Sequence, residues 1–357
     1  MKFCAKVVKN ERNAKSILFF RPTYTNFAKK LKKGEKTMAT PDTRWKQFLA
    51  EMRSTYKSMD TEETWDIWVV RPIGFVEACL CRKFHIHPNA ITIVSIILGA
   101  MSGYFFFPGN TKMVTIGTLL LFFANTLDSA DGQLARMTKQ YTMLGRVLDG
   151  FAGDVWFFSI YLFIMLRMAE MPIPFTTMTW GWLSFVLIPV CGLIFHSTQT
   201  TLTDYYRNIH LHFLIGRDYS ELASSADLTD RRKAITSWKG WFEWIWLYFY
   251  AGYTRKQERL TPQLQRLLRA VGKRRTNELP EEFLREFRAK SLPLMPLTNI
   301  LTFNSRFFAL VISMYLGMPW LYLFYEMVIL VALYHYMRHR HEAMCNELYN
   351  KWFAHET

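Results

Sequence analysis

The sequence has few acidic residues and few cysteines. Its 357 residues include 29 Asp and Glu against 44 Lys and Arg, which gives a formal net charge of +15. The five cysteines form no C-x-x-C pair and no metal-ligand spacing, so free thiols are expected rather than a disulfide framework or a zinc site. No zinc-finger, RRM or other nucleic-acid motif accompanies the basic charge, so nucleic acid is not a predicted partner. No apolar core with a small-residue cleavage site follows the N-terminus, and no signal peptide is predicted.

Apolar residues are abundant: 50% of the chain is hydrophobic and 16% is aromatic. A membrane-spanning helix needs about 20 consecutive apolar residues. Six segments approach that length, namely residues 89–107, 113–135, 147–168, 180–201, 300–317 and 319–337. The sequence therefore predicts an all-α integral membrane protein, a bundle of six transmembrane helices.

The remaining segments flank these spans or interrupt them. Residues 1–62 are predicted to be a basic, partly disordered arm, and residues 63–88 an amphipathic helix that lies in the membrane interface. Spans one to four occupy residues 89–205, spans five and six residues 299–340, and a tail residues 341–357. The role of residues 1–37 is open: they are either a mis-assigned start or a disordered arm.

Basic residues show which side of the membrane each connection faces. The N-terminal region, the turn with Arg136, Lys139 and Arg146, the segment 205–295 and the tail are basic, whereas the other connections contain a single Lys112. By the positive-inside rule, both termini and this turn face the cytoplasm. Basic segments beside a membrane also attract anionic lipid head groups.

The long connection, residues 206–298, contains the aromatic segment 238–254. We interpret it as an interfacial or re-entrant helix; the alternative, a seventh span, would place the tail on the opposite side from the N-terminus. Leucines at helical spacing in the following basic segment predict a surface helix.

Four aspartates lie at the ends of two neighbouring spans: Asp128, Asp131, Asp149 and Asp154. Acids so close to hydrocarbon are costly and are treated as functional candidates. Asp128 and Asp131 are three residues apart and so share one helix face, about 60° apart. Carboxylate oxygens suit Mg²⁺ or Mn²⁺, which leave coordination positions for substrate phosphates. Arg136 and Arg146 are close to these aspartates in the sequence and are candidates to bind phosphate oxygens.

The aspartates belong to a longer pattern: D-x-x-D-G-x-x-A-R, then eight residues, G, three residues and D. This pattern resembles the motif of the CDP-alcohol phosphotransferase (CDP-alcohol phosphatidyltransferase) family. Seven positions match it at the family's spacing: Asp128, Asp131, Gly132, Ala135, Arg136, Gly145 and Asp149. The resemblance implies a six-helix, usually dimeric enzyme with two metal ions held by the aspartates. It implies transfer from a CDP-linked donor to a hydroxyl, with release of CMP. Gly132, Ala135, Arg136 and Gly145 would accommodate the cytidine diphosphate.

The chain departs from the family motif at its last position. The family has Asp at position 153 as its proposed general base, whereas this chain has Gly153 followed by Asp154. On a regular helix Asp154 would point about 140° away from Asp149. We favour a π-bulge that returns Asp154 to the site, where it would act as the base or complete the metal shell. Otherwise the base is supplied by a different residue.

Other polar residues in or near the spans have two interpretations each. His196, Gln199, Asp204 and Arg207 either line the acceptor side of the cavity or reach the interface from a helix end. Arg306 is predicted to bind a phosphate of the acceptor or of the lipid. The alternative is that its side chain extends to the lipid head groups. Glu326 requires pairing or protonation within its span and is assigned to a helix–helix contact. The tail histidines His335, His339 and His341 are predicted to be exposed.

The preferred function is phosphatidyl transfer from CDP-diacylglycerol to a small phosphorylated alcohol, such as inositol phosphate or glycerol phosphate. Arg306 and its basic surroundings favour that acceptor. The first alternative is transfer of a phospho-head group from a donor such as CDP-ethanolamine or CDP-choline to diacylglycerol or ceramide. The second is an ion-coupled transporter, which predicts acids near the membrane midplane and repeated helix pairs.

Overall fold

The computed structural model describes residues 41–56, 58–215, 224–237, 240–272 and 278–354. Every regular element in these ranges is helical. The chain divides into two units, Met1–Arg53 and Ser54–Thr357. Helix α1 (Pro41–Ser54) accounts for the described part of the first unit. The predictions for residues 1–37 lie outside the described residues.

Helix α2 (Arg71–Lys83) follows a π-helical turn, Asp66–Val70. Its Gly74 packs so closely on the second span that an added Cβ would lie 3.0 Å from the Thr126 carbonyl oxygen. The opposite face of the segment is apolar and exposed, as Trp68 and Leu80 show. An amphipathic helix is therefore present where the sequence predicts one; its place in the membrane interface remains a prediction.

Some residues near the end of the predicted basic arm, residues 1–62, are packed against the helices. Thr55, Thr61 and Glu62 are buried. Glu62 accepts two hydrogen bonds from Arg71, at 2.8 and 3.0 Å, and Thr55 Oγ1 donates to Gln133 Oε1 at 2.9 Å. Thr55 and Glu62 thus belong to the packed second unit, because their polar groups are paired within it.

Three helices follow: α3 (Pro88–Phe106), α4 (Thr111–Thr138) and α5 (Met143–Ala169). The fourth span consists of α6 (Gly181–Pro189), a π-helical segment Val190–His196 and α7 (Ser197–Ile215). Glycines bring α3 and α5 into contact, since a Cβ on Gly103 would lie 2.6 Å from the backbone of Ser159. Small residues commonly allow such close approach between membrane helices.

The long connection contains α8 (Ser225–Lys233), α9 (Trp241–Leu260) and α10 (Pro262–Val271). Among the described residues six helices are long and apolar enough to cross a membrane, and α9 is not one of them. The prediction of six spans rather than seven is confirmed. Helix α10 is more than a surface helix, because Leu264, Leu267 and Val271 are buried.

The fifth span combines α11 (Glu281–Ser291), a 3₁₀ turn Leu292–Leu294, α12 (Met295–Ile300) and α13 (Phe303–Tyr315). The sixth combines α14 (Pro319–Phe324), a π-helical turn Tyr325–Ile329 and α15 (Leu330–Trp352). The predicted tail is thus largely a continuation of the last helix. His341 is 2% exposed and stacks on Tyr206 with ring centroids 3.9 Å apart, so its predicted exposure is wrong. His335 and His339 are exposed as predicted.

Two hydrophobic cores hold the helices together. One joins all six spans around residues such as Leu121, Ile160 and Leu310. The other joins the end of span four to α10, α11 and α15, around residues such as Phe283 and Leu348. The four cysteines in the described residues, Cys79, Cys81, Cys191 and Cys345, are free thiols, as expected.

Candidate active site

Helices α4 and α5 bring carboxylates of the aspartate motif together. Asp131 is 5% exposed and accepts a hydrogen bond from Thr92 Oγ1 on α3. Asp149 of α5 lies close enough to Asp131 to repel its carboxylate, while Arg136 is close enough to attract it. Two carboxylates from different helices, the buried Asp131 and the exposed Asp149, therefore influence each other electrostatically, with one guanidinium in range.

The turn between α4 and α5 has caps that explain this arrangement. Lys139 adopts a left-handed conformation, with φ of 57°, and its N–H donates to the Ala135 carbonyl, which ends α4. Thr142 then caps α5 by accepting from the Gly145 N–H at 2.9 Å, and its hydroxyl donates to Asn89 Oδ1 at 3.0 Å. These contacts tie the turn to the first span and hold Asp149 in the second turn of α5.

The donor set fits a hard divalent cation in its chemistry. Oxygen ligands from carboxylates are those that Mg²⁺ and Mn²⁺ prefer, and a cation would relieve the repulsion between Asp131 and Asp149. Asp128, three residues before Asp131, is half-buried on the same helix. Among the described residues no group of three or more His, Cys, Asp or Glu side chains is already close enough to hold a metal ion.

Arg136 lies next to this pair of carboxylates. Its guanidinium occupies the space above Gly132, where an added Cβ would lie 3.4 Å from Nη1. The Nε atom is buried and finds no acceptor among the residues that the structure describes. Electrostatic contact with Asp149 and Glu62 keeps the guanidinium at the site. A buried donor without a partner is costly, so this group is suited to an incoming anion.

The structure suggests a different reason for Gly145 from the one that the motif suggests. A Cβ at this position would lie 2.6 Å from Asn89 Oδ1 and 2.9 Å from Thr142 Oγ1. The glycine therefore permits close packing of α5 on the first span, whatever its relation to a ligand. Ala135, the other small motif residue, is half-buried.

Helix α5 is α-helical from Met143 to Ala169, so the predicted π-bulge is wrong. A regular helix turns Asp154 about 140° away from Asp149. The exposed Asp154 lies within electrostatic range of Tyr253 on α9, whose hydroxyl donates to Asp204 Oδ2 at 3.2 Å. Burial and these two carboxylates raise the pKa of Tyr253. The geometry does not bring Asp154 to the pair Asp131 and Asp149.

Arg306 is fully buried in an ion pair. Its Nε donates to Glu326 Oε1 at 2.8 Å and its Nη2 to Gln199 Oε1 at 2.6 Å. Its Nη1 donates to the carbonyl oxygens of Leu301 and Thr302. Every nitrogen of the guanidinium thus has a protein partner and none faces solvent, which argues against the predicted grip on a phosphate. The predicted pairing of Glu326 is confirmed.

The other residues predicted for the acceptor side separate into two groups. His196 and Gln199 are buried and contact Glu326, so neither reaches the interface from a helix end. Asp204 is exposed, and Arg207 donates from Nη2 to the Thr61 carbonyl at 2.9 Å. The structure therefore places these four side chains in two different environments along span four.

Some functional candidates escape the sequence motif. Thr92 orients Asp131 from the first span, and Asn89 anchors the turn before Asp149. Both belong to the HPNAIT stretch at the start of α3. Polar residues at the start of this span, on the same side of the membrane as the aspartates, were the sequence feature that could have indicated them. Arg146, predicted for phosphate, is exposed in the first turns of α5.

Comparison with protein families adds an independent observation. Residues 85–214 match the family model described as CDP-alcohol phosphatidyltransferase. The matched range includes the first four spans, all four aspartates and Arg136. No curated protein and no solved structure gives a significant match to the chain. Residues 85–214 are thus similar to the CDP-alcohol phosphatidyltransferase family, and the described part of the chain has six helices long and apolar enough to cross a bilayer.

Proposed function

We propose that this protein is a metal-dependent transferase that moves a phosphate-linked group from a CDP-linked donor to a hydroxyl and releases CMP. One observation supports this most directly: Asp149 acts electrostatically on the buried Asp131 from the next helix, and the buried Nε of Arg136, also in range, has no acceptor among the described residues. The family match covers this arrangement. The expectation of one or two Mg²⁺ or Mn²⁺ ions belongs to this proposal.

Asp128, Asp131 and Asp149 would hold the metal ions. A cation held by these carboxylates would supply positive charge for the pyrophosphate of the donor and for the charge that develops as its bond breaks. Thr92 holds Asp131 by its hydrogen bond and fixes the carboxylate orientation. The hydrogen bond from a neighbouring helix limits the motion of a metal ligand, as outer-shell partners generally do.

Arg136 would bind the diphosphate of the donor. Its buried Nε gains an acceptor when a phosphate oxygen arrives, and charge-assisted hydrogen bonds of this kind are the stronger ones. Gly132 and Ala135 leave the neighbouring surface of α4 small enough for the nucleotide. Gly145 allows the close packing of α5 on the first span, which holds the start of α5 in place.

The acceptor is better matched by an uncharged lipid hydroxyl than by a phosphorylated alcohol. The phosphorylated acceptor was favoured by Arg306, whose guanidinium is fully engaged with protein partners. Arg207 lies near Glu63 and Asp66, which offset its charge. We therefore place transfer of a phospho-head group to diacylglycerol or ceramide first. Phosphatidyl transfer from CDP-diacylglycerol to a phosphorylated alcohol is second, supported by the exposed Arg146.

The site would face the cytoplasm together with both termini, as the distribution of basic residues predicts. Asp128, Asp131 and Asp149 lie near one end of their spans, so the acids are not at the membrane midplane as a transporter would require. A homodimer remains a prediction of the family resemblance.

A donor screen tests the proposal. Purified protein with Mg²⁺ or Mn²⁺ is incubated with CDP-ethanolamine, CDP-choline or CDP-diacylglycerol and a panel of acceptors, and CMP release is measured. We expect CMP from a CDP-head group with diacylglycerol or ceramide, and its loss in Asp131→Asn and Asp149→Asn. Asp230→Asn, an exposed acid on α8, is the matched control and should retain activity.

The outcomes separate the candidate functions. CMP from CDP-diacylglycerol that depends on a phosphorylated acceptor would reverse the order of the two substrates. Absence of CMP with every donor, in protein that remains folded, would refute the transferase and favour the transporter.

A further inference from the structure

Spans four and six each contain a π-helical turn, and the two turns bring His196 and Glu326 together. The first turn, Val190–His196, ends at His196, and the second, Tyr325–Ile329, contains Glu326. Pro189 precedes the first turn and lacks the N–H that a regular helix would use. Single π turns inside helices occur frequently at functional sites. Their effect here is to place His196 Nδ1 3.4 Å from Glu326 Oε1.

The imidazole of His196 has one nitrogen engaged and one without a protein partner. Nδ1 lies 3.2 Å from the Tyr161 hydroxyl as well as near Glu326, whereas Nε2 makes no hydrogen bond within the described part of the chain. The ring is only 7% exposed. A neutral imidazole has one donor and one acceptor nitrogen, and a carboxylate beside Nδ1 keeps the proton there. The lone pair is then on Nε2.

The imidazole contacts α5 one helical turn beyond position 153, where the family motif has the carboxylate that this chain lacks. The Phe157 ring is 4.3 Å from the His196 ring, centroid to centroid. Phe157 follows Gly153 by one helical turn, a rise of about 6 Å along α5. A Cβ added to Gly153 would meet no heavy atom within 4 Å among the described residues. Position 153 thus has open space beside it and lies one turn of α5 before the aromatic side chain that contacts His196.

The charges around His196 are balanced. Glu326 is paired with Arg306, so the pair and a neutral imidazole carry no net charge in the membrane interior. The ionisable groups that face the imidazole, or that act on its immediate partners, come from four spans: Tyr161, Cys191, Arg306, Tyr322 and Glu326. The carboxylate can thus orient the ring without leaving an isolated charge in hydrocarbon, which would be costly.

We propose that His196 is the general base of the transfer reaction and that Glu326 positions it. This inference rests on the proposed function. Nε2 takes the proton of the acceptor hydroxyl as its oxygen forms a bond to the phosphorus of the CDP-linked donor. The bond from that phosphorus to the CMP oxygen breaks, and CMP leaves with the electron pair. The imidazolium then returns its proton to solvent or to the released phosphate.

The competing base is Asp154, next to the position at which the family has Asp. The regular helix α5 turns Asp154 about 140° away from Asp149, and Asp154 acts electrostatically on Tyr253 of α9. The comparison of these two residues is the central test, since only one of them can be required for proton removal.

The experiment measures kcat, KM for the donor and the pH profile of CMP release in full-length protein, with whichever donor the wild type accepts. His196→Gln keeps a polar side chain of similar size but removes the base. We expect kcat to fall at least about 100-fold, within the range typical of a general base, with donor KM changed less than about threefold. The acidic limb of the pH profile should disappear. His339→Gln, an exposed histidine of α15, is the matched control.

A second variant guards against a folding defect. His196→Ala should lose activity and regain part of it, at least about tenfold, when free imidazole is added, because the missing base is replaced in its cavity. A purely structural role would give no such rescue. Asp154→Asn should retain kcat within about threefold.

Retained kcat in His196→Gln, an unchanged acidic limb, a His196→Ala variant without imidazole rescue, or loss of activity in Asp154→Asn would each overturn the inference. Failure of the proposed function is recognised separately, because wild-type protein would then release no CMP from any donor.

Discussion

Replacing Arg306 by methionine removes the positive partner of Glu326 inside the helix bundle. Both side chains are 0% exposed, and Nε lies 2.8 Å from Oε1. Removing one member of a buried pair costs about 3–5 kcal/mol, because the remaining charge stays buried without compensation. Gln199 Oε1 loses its donor in the same step. We expect Arg306→Met to lower the free energy of unfolding by about 3–5 kcal/mol.

A double variant separates the charge from the packing. Glu326→Gln in the Arg306→Met background removes the uncompensated carboxylate, and the amide keeps a polar group beside Tyr322 and His196. We expect the double variant to recover at least about half of the lost stability, a coupling that a double-mutant cycle measures. The assay is denaturant unfolding of the purified protein in detergent micelles. Arg340→Gln, an exposed arginine on the same helix as the control histidine, should change stability by less than about 0.5 kcal/mol.

One result would refute this reasoning. If Arg306→Met unfolds with the wild-type free energy and its defect is a raised KM for a phosphorylated acceptor, the guanidinium is not a structural partner of Glu326. Arg306 would then be the phosphate ligand that the sequence suggested, and the order of the two acceptor classes would reverse.

Two further predictions concern packing and pH. Gly103→Ala should destabilise the protein by about 1–3 kcal/mol, because the added methyl group would lie 2.6 Å from the Ser159 backbone. The methyl group of Gly150→Ala would meet nothing within 4 Å among the described residues, so this variant should be neutral or stabilising. Equal stability of the two variants in unfolding experiments would contradict the packing of α3 on α5. Burial raises the pKa of Glu77 to about 7 from an ordinary value of 4.5, although its carboxylate accepts from Thr126. Between these values the folded state keeps a proton that the unfolded state has released, so stability should fall as pH rises through this window, by at most about 3 kcal/mol and less with solvent screening. Glu77→Gln should remove that fall, and an unchanged pH dependence in the variant would show that Glu77 is not its source.

Much of the architecture follows from sequence because the membrane restricts the choices. A segment of about 20 apolar residues satisfies its backbone polar groups in lipid only as a helix or in a closed barrel, and six such segments predict six helices. The shared face of Asp128 and Asp131 likewise follows from helical periodicity alone. The approach of Asp149 to Asp131 was predictable from the short turn between their helices.

Contacts between distant segments were not predictable in the same way. Arg306 and Glu326 are 20 residues apart on different spans, and an isolated arginine near a span end suggests a phosphate ligand as readily as a buried partner. His341 was assigned to an exposed tail because its neighbours are basic, yet α15 packs it against Tyr206. A buried polar side chain needs a hydrogen-bond partner, and here that partner comes from a different helix. The sequence around the side chain therefore does not reveal whether it is buried.

The sequence by itself determined the helical class, the number of spans and the residues of the aspartate motif, because these depend on hydrophobic length, periodicity and spacing along one segment. Only the tertiary structure decided which way Asp154 points and what Arg306 contacts. A one-residue shift in a motif is compatible with either a bulge or a rotated side chain, and local spacing does not distinguish them. The direction of a side chain depends on the helix that α5 actually forms and on the helices packed around it.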